Sequence, residues 1–188
     1  VLAHASADAL ALEVGLVRGA FEYQGQKCSA ASRAYVPRAM WEGGLRDGLA
    51  ARTESLTYGD VTDLSNFGGA VIDDRAFSRL SGVLDRAKDD PALTVVAGGT
   101  YDDSEGWFVR PTVIETSDPR HDVMSTEYFG PVLGVYVYDD WDEVLPLVDT
   151  ASPYALTGAV FAQDAAALAG AQAALRFTAG NFYLNDKP

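Results

Sequence analysis

PVLGVYVYDDWDEVLPLVDTASPYALTGAVFA, residues 131–162, decides the fold. It opens on an apolar run, 131–138, rich in valine and tyrosine and suited to a strand. A helical segment follows over 141–150, and TGAVFA, 157–162, reads as the next strand. Strand, helix and strand in succession argue for an α/β domain with a mainly parallel sheet flanked by helices. One conflict stands inside this stretch. Pro146 falls within the helical segment, where it removes a hydrogen bond and costs roughly 3 kcal/mol, so that helix either starts late or is kinked.

The same alternation extends in both directions. Downstream, 164–177 reads as a helix and GNFYLN, 180–185, as a strand. Upstream, LTVVAGG (93–99) and WFVRPTVIE (107–115) read as strands. The second is expected at an edge or a bulge, because Pro111 cannot donate to a ladder. Asp73 or Asp74 caps a helix carrying Phe77, Leu80, Leu84 and Ala87 on one face. Residues 32–36 form a short strand closed by Pro37. Residues 38–52 can be helical, though Gly43 and Gly44 weaken that reading. Leu10, Val14, Val17 and Phe21 recur at helical spacing, so 7–22 reads as an amphipathic helix ending near Gly25. There is no internal repeat or low-complexity linker, and 188 residues suffice for one domain with a sizeable core.

Composition narrows the function. A net charge of −13 argues against a general nucleic-acid binder, which needs a basic face. The acids are dispersed, as solvated turns are. No uncharged run approaches the roughly 20 residues of a membrane helix, and the start is neither a basic leader nor a secretory signal. A single cysteine excludes an internal disulfide and fits a reducing compartment, the bacterial cytoplasm. No metal is expected.

That cysteine, Cys28, stands in FEYQGQKCSA, 21–30. A lone cysteine is most often a buried small hydrophobe. A nucleophile must instead be an accessible thiolate near groups that favour negative charge. Gly25 allows a tight turn, Ser29, Ala30 and Ala31 leave room, and Lys27 adds a positive charge. A helix beginning at Cys28 would add free N–H groups. A Cys-His hydrolase would need His4 or His121, and neither lies in a recognisable motif. Trp41, Trp107 and Trp141 read as packing.

FEYQGQKCSAASRAYV resembles the nucleophile segment of the aldehyde dehydrogenase superfamily. STEYFGPVLGVYVY resembles its Glu-x-Phe-Gly-Pro segment, and SPYALTGAVFAQD the strand entry that follows. The three occur in the family's order and span nearly the whole chain. FEYQGQKCSA and GNFYLNDKP are similar to the branch acting on 1-pyrroline-5-carboxylate, the cyclic form of glutamate 5-semialdehyde.

The resemblance implies an NAD-dependent oxidation of that semialdehyde to glutamate in proline breakdown, through a thiohemiacetal and a thioester on Cys28. It implies that Glu127 accepts hydrogen bonds from the nicotinamide ribose, that Phe129 lies beside the nicotinamide, and that Ser29 contacts the substrate's carboxylate. Gly130 and Pro131 shape the turn. Lys27 and Lys187 serve either local structure or the substrate loop. The family's general base, a glutamate upstream of the cysteine, is expected before Val1; Glu13 and Glu22 are assigned no such role. Residues 1–188 are therefore expected to be one nucleophile-bearing catalytic domain, a fragment of a longer homo-oligomeric enzyme without its NAD-binding domain and inactive alone. Another short aldehyde as substrate, or a non-catalytic assembly domain with an inert cysteine, are the competing readings.

Overall fold

The computed structural model describes residues 1–153 and 155–188. Tyr154, the tyrosine of the SPYALTG segment, lies outside the described residues. The strands are β1 Leu2–Ala3, β2 Arg33–Pro37, β3 Leu93–Ala97, β4 Tyr101–Asp102, β5 Phe108–Val109, β6 Thr112–Thr116, β7 Val132–Tyr138, β8 Thr157–Phe161 and β9 Asn181–Leu184. The helices are α1 Ala9–Phe21, a short α2 Arg38–Met40, α3 Arg46–Glu54, α4 Asp74–Asp89, α5 Trp141–Thr150 and α6 Ala165–Ala174. Seven strands form one sheet in the order β3-β6-β7-β2-β1-β8-β9, and β4 with β5 makes a separate hairpin. Every pairing in the large sheet is parallel except β3 with β6.

Alternation along the strands divides the core in two. Ala34 and Val36 of β2, and Leu133, Val135 and Val137 of β7, face α1 and α3 and pack with Leu12, Leu16 and Leu49. Tyr35, Ile114 and Val160 point the other way, into Leu80 and Leu84 of α4, Val144 of α5 and Leu175 just after α6. Each fully buried leucine contributes roughly 2–3 kcal/mol by leaving water. Strands buried on both faces need continuous apolar runs, which is why 131–138 carries no charge.

Local signals explain the helix starts. Asp8, Asp73, Asp140 and Asp164 each accept from backbone N–H groups in the first turn of α1, α4, α5 and α6. α4 buries Phe77, Leu80, Leu84 and Ala87, the face its spacing predicts.

Four expectations need correction. On α1, Leu10 and Val14 are exposed. The inner face is instead Leu12, Gly15, Leu16, Gly19 and Ala20, with Val17 and Phe21. Small residues are needed there because a Cβ on Gly15 would lie 2.7 Å from the Phe161 ring. The helix read over 38–52 is interrupted by a π-type segment, Trp41–Leu45, in which Gly44 has φ 121°. Pro111 marks no sheet edge: it separates β5 from β6, and β6 is an inner strand between β3 and β7. The 141–150 helix stands as read: α5 begins at Trp141 and holds Pro146 inside, which removes the late start from its two alternatives. Among the tryptophans, Trp41 is buried and Trp141 packs against the core, but Trp107 is 41% exposed.

Candidate active site

Cys28 sits on a turn closed by Ala30 N–H donating to the Lys27 carbonyl at 3.0 Å. No helix begins there, so the expected helix N-terminus is absent. The thiol is exposed, which overturns the buried-cysteine reading. Among the described residues the Cys28 N–H has no protein partner, leaving it able to donate to an incoming oxygen.

The backbone ahead of this turn is unusual. Tyr23, Gln24 and Gly25 are consecutive left-handed residues, with φ 55°, 56° and 63°. Two of them bear side chains, at a cost of roughly 1–2 kcal/mol each. Surrounding bonds over-determine the segment. Gln24 Nε2 donates to the Ala70 carbonyl at 3.1 Å, and Tyr58 Oη to the Phe21 carbonyl at 3.2 Å. Gln26 Oε1 accepts from Ile72 N–H at 2.9 Å while its Nε2 faces the Phe129 carbonyl at 3.5 Å.

Gly25 is where two sequence motifs meet. A Cβ there would lie 2.3 Å from the Gly130 carbonyl oxygen. Gly130 in turn rests on Leu80 of α4, 2.4 Å from where its own Cβ would be. The Gly-Gln-Lys-Cys turn and the Glu-Tyr-Phe-Gly-Pro turn are thus packed backbone to backbone; Gly25 is required by that approach, and Gly130 by the Leu80 side chain against it. Phe129 has φ 54° and is 41% exposed. The Glu127 loop is held by Arg79 Nε donating to the Tyr128 carbonyl at 3.0 Å and by Tyr128 Oη bonding Asp122 at 3.0 Å. Arg33 Nη1 donates to the Met124 carbonyl at 2.6 Å.

Cys28 and Glu127 both line a cavity of about 360 Å³. Leu156 and Thr157 at the start of β8, Thr178 before β9, and Pro188 line it too. Apart from Pro188, which follows β9, these residues precede β2, β7, β8 and β9 or lie at the start of one, so the cavity opens at the N-terminal ends of parallel strands. Ligand crevices in open α/β sheets usually lie at the other end, where helix N-termini gather. Ser29 is half-buried and does not line the cavity; its carbonyl accepts from Thr157 Oγ1 at 3.1 Å. Neither histidine lines it. His4 Nδ1 bonds Ser6 at 2.8 Å, and His121 lies between Asp90 and Asp122.

Lys27 does not face the thiol alone. Its Nζ reaches Glu22 Oε2 at 3.2 Å, and Lys187 Nζ reaches the same oxygen at 3.1 Å. Arg18 pairs with Glu22 Oε1. Burial pushes the Glu22 carboxyl up, but bonds from Lys187 and Lys27 and the charges of Lys187 and Arg18 outweigh it and hold it below the usual carboxylate value. Glu13 is bound by Arg52 of α3. The carboxylates of Glu13 in α1 and Glu22 just after it are both occupied, and neither lines the cavity. Sequence reading missed Glu22 as the centre of this cluster, because Lys187 lies 165 residues away.

An accessible thiol and a carboxylate line one cavity and are carried on two motifs that meet at Gly25, an arrangement with the chemical means for covalent attack on a small electrophile. The model of the aldehyde dehydrogenase family matches residues 1–188, and the chain belongs to that family. More particularly, it is 52% identical over 187 residues to the mitochondrial delta-1-pyrroline-5-carboxylate dehydrogenase of Danio rerio, covering 98% of this chain and 34% of that protein. A probable delta-1-pyrroline-5-carboxylate dehydrogenase of Schizosaccharomyces pombe is 51% identical, with 99% and 34% covered. The crystal structure of the Mycobacterium tuberculosis delta-pyrroline-5-carboxylate dehydrogenase superposes with a TM-score of 0.92 at 53% identity, covering 100% of this chain and 34% of that one. A second structure of that enzyme is bound with NAD. The chain therefore spans about a third of the length of these relatives.

Proposed function

We propose that this chain is the nucleophile-bearing part of an NAD-dependent dehydrogenase that oxidises glutamate 5-semialdehyde, the open form of 1-pyrroline-5-carboxylate, to glutamate in proline catabolism. The observation that carries the reading is the exposed Cys28 on its strained turn, facing the same cavity as Glu127, within a chain about half identical to enzymes so named.

Cys28 Sγ forms a bond to the aldehyde carbon while the carbonyl electron pair moves to oxygen, where the Cys28 N–H donates. NAD⁺, when bound, accepts the hydride that this carbon loses. A thioester on Cys28 then remains, and water displaces Sγ to release the carboxylic acid and restore the thiolate. Glu127 and Phe129 fit the cofactor's nicotinamide end. The Glu127 carboxylate is exposed and has no ion pair or hydrogen bond among the described residues, so it is free to accept from a diol. Phe129 offers an exposed ring. Ser29, next to the nucleophile, is the proposed contact for the substrate's carboxylate.

The general base, the dinucleotide-binding domain and the oligomer contacts belong to the rest of the enzyme in this reading. Exposed apolar side chains at Tyr23, Val61, Leu64 and Ile72, beside the nucleophile segment, are surfaces for those parts to cover. A lone exposed thiol suits the bacterial cytoplasm. Among the described residues no helix is long and apolar enough to cross a membrane.

The test is NADH formation by the full-length enzyme with glutamate semialdehyde beside a panel of other aldehydes. The semialdehyde should give the highest kcat/KM, and the 188-residue chain alone should give almost none. A higher kcat/KM for another aldehyde overturns the substrate assignment, and turnover by the isolated chain overturns its dependence on the missing parts.

A further inference from the structure

The cavity lies at the end of the sheet where the strands begin. In a parallel α/β sheet the preceding helices finish on that side, and their C-terminal ends carry partial negative charge. α1 ends at Phe21, seven residues before Cys28. Positive potential for a thiolate must therefore come from side chains.

The structure supplies three of them on one carboxylate. Arg18 near the end of α1, Lys27 beside Cys28 and Lys187 in the terminal Asn-Asp-Lys turn all pair with Glu22. Formally the cluster carries two net positive charges in a chain of net charge −13. Lys27 and Lys187 are half-buried at about 30% exposed and Glu22 at 21%, while Arg18 is exposed. Glu22 also begins the strained turn, and among the described residues it is the one acid that reaches both lysines. Cys28 and Pro188, each adjacent to one of those lysines, line the same cavity. The lysines would repel one another without the shared carboxylate. The Asn-Asp-Lys turn is fixed from its other side as well, because Asn185 exchanges two hydrogen bonds with the Ala162 backbone at 2.8 and 2.9 Å.

We propose that Glu22 is a positioning residue, whose carboxylate clamps the nucleophile turn through Lys27 to the 185–188 turn through Lys187 and so sets where Cys28 stands across the cavity. This rests on the reading of Cys28 as nucleophile. It does not rest on which aldehyde is oxidised.

The test uses the full-length enzyme with Glu22→Gln, Lys27→Met, the double variant, and Glu13→Gln as a control. Glu13 is a half-buried acid of α1 tied to Arg52, away from the cavity. Rates are taken with whichever panel aldehyde the wild type oxidises fastest, so a wrong substrate does not count against the clamp. E22Q should lower kcat at least about tenfold while KM moves less than about threefold, since displacing a reacting group by an ångström or less costs that much. E22Q and K27M should be non-additive, the double variant being no worse than the poorer single one.

A second readout needs no substrate: the pH profile of Cys28 alkylation by iodoacetamide. The charged groups facing the turn are Arg18, Glu22, Lys27 and Lys187, with Glu127 and Arg33 lining the same cavity. Its midpoint should move to lower pH in E22Q, which leaves three cations uncompensated, and to higher pH in K27M. E13Q should move neither kcat nor the midpoint. Should E22Q not fold, K27M carries the same kcat expectation. E22Q behaving like E13Q in both readouts, or strictly additive losses in the double variant, would overturn the clamp. Failure of every aldehyde with the alkylation shifts intact would instead refute the dehydrogenase reading and leave the clamp standing.

Discussion

Gly25→Ala is the sharpest perturbation of the site that leaves its chemistry alone. The new methyl would meet the Gly130 carbonyl oxygen at 2.3 Å, its carbon at 2.6 Å and the Ala20 carbonyl oxygen at 2.8 Å. Real Cβ contacts stop near 3.0 Å, so the Gly130 peptide must retreat by about 0.7 Å or the nucleophile turn must open by as much. All three atoms are backbone, and Gly130 is itself pinned against Leu80, so no flexible side chain can absorb the change. The φ of 63° adds roughly 1–2 kcal/mol for any residue with a Cβ. Forced overpacking adds about 1–3 kcal/mol. We expect G25A to lower unfolding free energy by about 2–5 kcal/mol, and kcat by roughly a hundredfold from misplacement of Cys28. Urea unfolding and NADH formation by the full-length enzyme read the two quantities. A G25A enzyme with wild-type kcat and stability would show that the two motifs are not packed as described.

Gly43→Ala is the counterpart. Its Cβ would meet nothing within 4 Å, so the substitution should stabilise by about 0.5–1 kcal/mol in urea unfolding and leave kcat unchanged. Asn185→Ala removes two bonds to Ala162 and leaves an alanine at φ 55°; a loss of about 2–3 kcal/mol is expected in the same assay. Leu80, wholly buried under Gly130, should cost about 2–5 kcal/mol when cut to alanine and should also lower kcat, by loosening the cofactor turn. Glu22 titrates below its ordinary 4.5, so its contribution to stability is present above that pH and is lost as pH falls through the lower folded value. Acid unfolding below pH 4.5 should therefore be shallower in E22Q than in wild type.

Sequence patterns carried far where a local rule was sufficient. α4 was legible because Asp73 caps it and its apolar residues keep one face, and β7 because a strand buried on both faces cannot carry charge. α1 was harder. ALALEVGLVRGAF is apolar nearly all round, and its true inner face uses Gly15 and Gly19, which no hydrophobicity pattern marks. Pro111 was read as an edge or bulge signal because a missing donor fits either; a break between two short strands satisfies the same constraint.

In the site, Cys28, Glu127 and Phe129 came from motifs, and the structure sets the thiol and the carboxylate on one cavity. What brings the motifs together was not legible. Gly25 meets Gly130 across 105 positions and Glu22 meets Lys187 across 165, and neither contact leaves a local pattern. The cavity's position at the start of the strands also required the topology, since it depends on which strands neighbour β2.

The measurement that bears most directly on the central claim is the mass of the peptide holding Cys28 after the full-length enzyme is quenched in acid during turnover with NAD⁺ and glutamate semialdehyde. The account predicts an acyl adduct on Cys28 that is absent without NAD⁺ or after Cys28→Ala, and no turnover by that variant. Continued turnover by Cys28→Ala, or an adduct carried elsewhere on the chain, would contradict it.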